Sequence, residues 1–229
     1  MCKGLFKFFN SEKYRDDFLN GHLYFSSLNS FRKVEKSEVF GQNDRYECCE
    51  IHQPDSVKVT IGNIELTDLA GPISICCERD VLKSNIMCFS TIGADDEKEY
   101  DSLEELKQDV LFPKKMIEYG EFVVAFPQAD LFIERLRKVV RAAGLGLDGE
   151  PVKYYDFSKD NIYCGYPEIA FRKRSEFSYQ REFRFLLKKR EPIDAPLILE
   201  VGDLSDIAMS CKSCDLNGMI DVRYCRESG

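Results

Sequence analysis

What most restricts the fold of this chain is a succession of short strand-like runs separated by turn residues. Leu5–Phe9, His22–Ser27, Val57–Ile61, Ile64–Leu66, Ile73–Cys77, Ile86–Ser90 and Glu121–Phe126 come first. Val152–Phe157, Glu168–Phe171, Glu182–Leu187, Leu197–Val201 and Met219–Tyr224 follow. Their apolar, aromatic or alternating character marks them as β, and Gly62-Asn63 supplies hairpin-turn chemistry between two of them. Helical signals are fewer. Ser11 is placed to N-cap a helix over Glu12–Asn20, with Tyr14 and Phe18 on one face and Gly21 just beyond its end. Leu131, Phe132, Leu136, Val139, Val140 and Ala143 recur at helical spacing and Gly144 closes the run. A short helix is expected at 203–210 and a polar surface loop with some local helix at 32–56. Many short strands with two or three helices predict an α+β fold, one domain over residues 1–229. Eight carboxylates between Asp95 and Asp109 mark an acidic insertion around 94–111, read as a solvated helix or a mobile insertion.

Composition narrows the class. A chain of 229 residues that is 44% hydrophobic, with 17 Phe and 11 Tyr, holds enough apolar material for a core and is not disordered. No apolar run approaches the roughly 18 residues of a membrane helix, and the opening MCKGLFKFF has no signal-peptide core, so a soluble, cytoplasmic protein with no membrane partner is expected. The net charge of −8 argues against indiscriminate nucleic-acid binding. A local basic site is still compatible with it, because Phe171–Arg184 carries five basic residues in fourteen. Of the ten cysteines only Cys211 and Cys214 form a CxxC, and no second pair completes a zinc ribbon. The thiols are therefore read as reduced, with Cys76 and Cys88 acting as small hydrophobes in strands. No dinucleotide GxGxxG, phosphate-binding P-loop, HExxH or GxSxG is present, and His22 and His52 are the only histidines.

One stretch carries chemistry of its own, Phe177-Ser-Tyr-Gln180-Arg-Glu182-Phe-Arg184-Phe-Leu-Leu. Gln180 and Glu182 lie two apart as an apolar strand begins, which places them on one face. A carboxylate beside an amide can accept a hydrogen bond from a sugar hydroxyl and can stabilise an oxocarbenium-like centre. The competing reading has Glu182 simply pairing with Arg181, Arg184 or Lys173 on a solvated strand edge. On spacing alone the simple ion pair is the favoured reading, because such surface pairs are common and worth little.

The order of strand, helix, strand ending in Ser26-Ser27, and a much later strand bearing Gln180-Arg-Glu182 resembles the ADP-ribosyltransferase superfamily. Lys7 stands where that family usually has Arg or His, and Ser-Ser-Leu stands where Ser-Thr-Ser is usual. Over most of its length the chain is also similar to a broad group of bacterial proteins of unassigned function. The matching pieces are Gly21–Phe31, Met87–Ser90, Tyr119–Val124 and Tyr179–Arg184. Some of these relatives, in phage defence, look like transferase toxins restrained by antitoxins. The resemblance implies a split β-sheet core with a few flanking helices and NAD as co-substrate. Glu182 and Gln180 would be the catalytic pair, with Lys7, Tyr24, Ser26, Ser27 and Arg32 around the NAD. A macromolecular acceptor, protein side chain or RNA base, and an antitoxin protein are the implied partners. The alternative is a catalytically inactive nucleotide- or partner-binding module of the same fold. A third reading, a metal-dependent nuclease using the acids at 95–105, has no ligand spacing behind it.

Overall fold

The computed structural model describes residues 4–33, 44–66, 70–76, 79–92, 98–189 and 193–223, without the side chains at 32, 33, 79 and 80. In chain order the first elements are β1 (Leu5–Phe9), α1 (Glu12–Leu19), β2 (His22–Ser27), α2 (Leu28–Lys33), β3 (Cys49–His52), β4 (Val59–Ile61), β5 (Ile64–Leu66) and β6 (Ile73–Cys76). Next come α3 (Arg79–Leu82), β7 (Asn85–Thr91), α4 (Leu103–Val110), α5 (Lys114–Ile117), β8 (Phe122–Phe126) and α6 (Ala129–Ala142). The last are β9 (Gly146–Pro151), β10 (Lys153–Tyr155), β11 (Arg172–Arg174), β12 (Glu182–Lys188), β13 (Leu197–Glu200) and β14 (Met209–Lys212). The chain is a mixed α+β fold, as its pattern of runs requires.

Eight strands form one sheet whose pairings are all antiparallel. At its centre β7 pairs along its length with β12, from Glu182 opposite Ser90 to Leu187 opposite Asn85. The other edge of β7 is shared. β1 takes its C-terminal end, through Leu5 opposite Thr91 and Phe6 opposite Ser90. β2 takes its N-terminal end, through Ser26 opposite Ile86 and Ser27 opposite Asn85. Between them Met87, Cys88 and Phe89 have no ladder partner on that edge, and the sheet opens there.

Period-2 alternation in β12 separates two chemistries. Phe183, Phe185 and Leu187 enter the main core with Phe18, Phe89, Phe126, Phe132 and Leu136. Glu182, Arg184 and Leu186 face the other way, where Leu186 joins a second cluster with Leu28, Ile51, Ile86 and Phe171. Helix α6 covers the main core with Ala129, Phe132, Leu136 and Val140, all buried at helical spacing. Helix α1 begins where Ser11 accepts a hydrogen bond from the Tyr14 N–H, and Gly21 follows it with φ +94°. There a Cβ would sit 2.1 Å from the Gly202 carbonyl oxygen. Only glycine fits both the backbone angle and the space.

Several expectations need correction. Glu168–Phe171 is a 3-10 turn with Ile169, Ala170 and Phe171 buried, because four apolar-rich residues read alike in a buried turn and a strand. Residues 205–207 form a turn rather than a helix, and the chain then enters β14. At the C-terminal end Ser213–Met219 is a 3-10 segment, 220–223 have no regular structure, and Tyr224 lies outside the described residues. Gly146–Pro151, which carries no β signal, is the edge strand β9, paired with β12 from Pro151 opposite Phe183 to Gly146 opposite Lys188. The 32–56 region, read as loop with some local helix, holds the end of α2 and a 3-10 turn at Pro54–Ser56 as expected but also the unexpected β3 paired with β6, while 34–43 lie outside the described residues. Of the acidic segment, 93–97 are likewise outside them, and Leu103–Val110 forms α4 with no buried residue.

Candidate functional site

Where β1 and β2 part from β7 a cavity of about 370 Å³ opens. Phe6, Lys7 and Phe8 of β1, Tyr24 and Ser26 of β2, and Met87, Cys88 and Phe89 of β7 line it, with Lys173, Gln180 and Glu182 at one end. Its size and mixture of aromatic walls with a few charged groups are those of a small-ligand site. Lys7 reaches into the opening of the sheet. Its Nζ donates to the Cys88 carbonyl oxygen at 3.0 Å and lies 5.3 Å from the centre of the Phe89 ring. Among the described residues that is the hydrogen bond Lys7 makes, so further ammonium protons remain for a ligand. Burial pulls the Lys7 pKa below the ordinary lysine value, with Cys88 and Glu182 opposing.

Glu182 is buried rather than on a solvated edge. Lys173 Nζ donates to Glu182 Oε2 at 2.8 Å and to Gln180 Oε1 at 2.7 Å, tying the two cavity residues together. Arg184 Nε donates to Glu182 Oε1 at 2.8 Å, and another nitrogen of the same guanidinium donates to Glu47 Oε1 and to the Ala170 carbonyl. The Glu182 backbone N–H donates to the Tyr154 hydroxyl at 2.9 Å. Gln180 and Glu182 do not share a face by strand alternation. Gln180 ends a 3-10 turn, Arg181 takes a left-handed conformation (φ 44°), and only then does β12 begin. The Arg181 guanidinium turns away and donates to the Asp109 and Val110 carbonyls at the end of α4.

Charge balance in this dry cluster governs its ionisation. Burial opposes a charged Glu182, but the Arg184 and Lys173 cations overcome it and hold the carboxyl well below the usual range. Burial likewise opposes a charged Lys173, and the Glu182 carboxylate reverses that, so the lysine lies above its ordinary value. For Glu47 burial wins and the carboxyl is raised despite Arg184. The cavity wall itself carries two amino groups, Lys7 and Lys173, against one carboxylate, Glu182, while Arg184 pairs with both Glu182 and Glu47. Such a site favours an anionic ligand.

Of the residues singled out from the sequence, the cavity brings together Lys7, Tyr24, Ser26, Gln180 and Glu182. Ser30 Oγ donates to the Ser27 carbonyl at 2.6 Å, so the 2.5 Å contact between Ser26 and Ser30 hydroxyls uses the Ser26 proton. That arrangement leaves Ser26 oxygen lone pairs to accept from a ligand hydroxyl. Ser27 does not join them. It points to the opposite face of β2 and donates to Asp194 Oδ1 at 2.8 Å, fastening the 193–196 segment. The Arg32 side chain lies outside the described residues. The pairing of Glu182 with Arg184 and Lys173 was legible in the sequence, but their burial was not, and Glu47 and Tyr154 were missed altogether. The Arg172-Lys173-Arg174 run looks uniformly solvated, yet the middle residue points inward by strand alternation. Glu47 has no local signal, since only long-range packing brings it to Arg184. Compared with protein-family models, curated proteins and solved structures, the chain matches none.

Proposed function

We propose that the protein is a mono-ADP-ribosyltransferase that moves ADP-ribose from NAD to a macromolecular acceptor, a protein side chain or an RNA base. The observation that carries this reading is one cavity joining residues as distant as Lys7, Tyr24, Ser26, Gln180 and Glu182. The donor set suits NAD. An exposed tyrosine offers a stacking face for nicotinamide, a half-buried ammonium with spare protons suits the pyrophosphate, and a serine oxygen suits a ribose hydroxyl. Glu182 accepts a hydrogen bond from the 2′-hydroxyl of the nicotinamide ribose. Its fixed negative charge stabilises the positive charge that develops on that ribose as nicotinamide departs. Lys173 and Arg184 keep the carboxylate ionised and oriented, and Gln180, held by the same Lys173, orients the acceptor.

The test is incubation with NAD labelled in its adenylate half and a cell lysate, separated afterwards into protein, RNA and DNA. Label bound in one fraction, and lost with Glu182→Gln, supports the reading and names the acceptor class. Absence of label from all three overturns it. One observation favours a second reading, a nucleotide- or partner-binding module without catalysis: both Glu182 oxygens already accept from cations. That reading predicts NAD binding without nicotinamide release.

A further inference from the structure

Away from the cavity, Cys49 and Cys76 are directly opposed in the β3–β6 ladder. Their Sγ atoms lie 3.1 Å apart and are not joined. Opposed antiparallel residues hold their Cα atoms roughly 4.5–5.5 Å apart. That spacing falls within the ~4.4–6.8 Å that disulfides span, so a bond of about 2.05 Å needs side-chain rotation and no change of register. The two thiols also differ in access. Cys76 is exposed, whereas Cys49 is 2% exposed. Among the described residues the adjacent Cys48 is arranged differently: it precedes the first ladder pair and takes φ 55°.

We propose that Cys49 and Cys76 are a peroxide-reactive dithiol that closes into a cross-strand disulfide, a modification site independent of the transferase reading. The Cys76 thiolate attacks one oxygen of hydrogen peroxide, the O–O bond breaks, hydroxide leaves, and Cys76 becomes a sulfenic acid. The Cys49 sulfur then attacks the Cys76 sulfur, and the S–O bond breaks. The departing hydroxide takes the Cys49 proton and leaves as water. Two thiols have lost two electrons and one peroxide has become two waters. A dithiol reductant reverses the step. The bond closes a span of 27 positions and anchors β3 two residues from Glu47, which accepts from Arg184. A link of that length stabilises chiefly by restricting the unfolded chain.

The test treats the full chain with a small molar excess of hydrogen peroxide, blocks remaining thiols and digests it without reductant for mass spectrometry. The expected product is a linked pair of peptides containing positions 49 and 76, about 2 Da lighter than their sum and separated by dithiothreitol. Cys76→Ser and Cys49→Ser abolish it and Cys48→Ser retains it. Because Cys76 is exposed, its serine variant folds, as circular dichroism verifies. The oxidised wild type melts several degrees higher, and oxidised Cys76→Ser does not shift. The proposal is overturned if peroxide leaves position 76 unmodified or sulfinic with no linked peptide, or if the link survives Cys76→Ser.

Discussion

Neutralising Glu182 removes the anion that Lys173 and Arg184 share, so Glu182→Gln acts on stability and, under the proposed transferase reading, on catalysis too. Loss of a charge aimed at the developing cation is expected to cut transfer by about 10²–10³-fold. Lys173 is left without a carboxylate and Arg184 with Glu47 alone, a loss expected to cost about 3–5 kcal/mol and read as a lowered denaturant midpoint. Activity lost with no change in the midpoint would contradict the clamp. The two carboxylates of the cluster respond oppositely to pH. Glu182 is depressed by Arg184 and Lys173, so its stabilising contribution is complete above the unfolded glutamate value near 4.3 and drains as pH falls below it. Glu47 is raised by burial, so its contribution is complete below that unfolded value and is lost as pH rises through its folded value. Melting temperature should therefore rise as pH falls through the folded value of Glu47 and drop again once pH falls below the unfolded glutamate value near 4.3. Glu47→Gln should flatten the first limb, and an unaltered first limb would count against the charge balance. At the alkaline end burial, aided by the Glu182 charge, pushes Tyr154 up to about 12. Its contribution is present below the unfolded value near 10 and is lost above it, so Tyr154→Phe should make the decline above pH 10 shallower.

Among the elements, the tightest constraint lies at the α1–β2 junction. Gly21→Ala must place a Cβ against the Gly202 backbone at a positive φ. It is expected to destabilise by more than the ~1 kcal/mol of an ordinary glycine replacement, measured by urea unfolding. A variant as stable as wild type would show that β2 and the 201–204 segment do not meet as described. Elements whose side chains alternate or repeat were legible in the sequence: β1, β2, β8, β12 and α6 fall within a residue or two of expectation. Strand β9 was not, because backbone pairing holds it and Gly149 is there to make room. A Cβ at that position would lie 3.0 Å from the Phe185 ring, so the residue that makes the strand fit also erases its pattern. Position 168–171 failed for the opposite reason, as its apolar residues are buried by a turn instead of a sheet.

On the scale of the whole molecule, the site exists because two strands divide one edge of β7 and leave Met87, Cys88 and Phe89 open to a cavity. No local pattern encodes that opening. The sequence named Lys7, Ser26, Gln180 and Glu182 through the order of motifs, and it missed Glu47 and the inward turn of Lys173 because those depend on long-range packing. If the cavity transfers ADP-ribose in a living cell, expression in a bacterium should arrest growth and Glu182→Ala should relieve the arrest. Equal growth of the two strains at equal protein level would favour the binding module. The most direct measurement is a crystal structure with a non-hydrolysable NAD analogue. The account predicts the nicotinamide ribose in the opening between β1 and β2, its 2′-hydroxyl hydrogen-bonded to Glu182 and its pyrophosphate near Lys7. An analogue bound elsewhere, or a cavity that stays empty at saturating analogue, would contradict it.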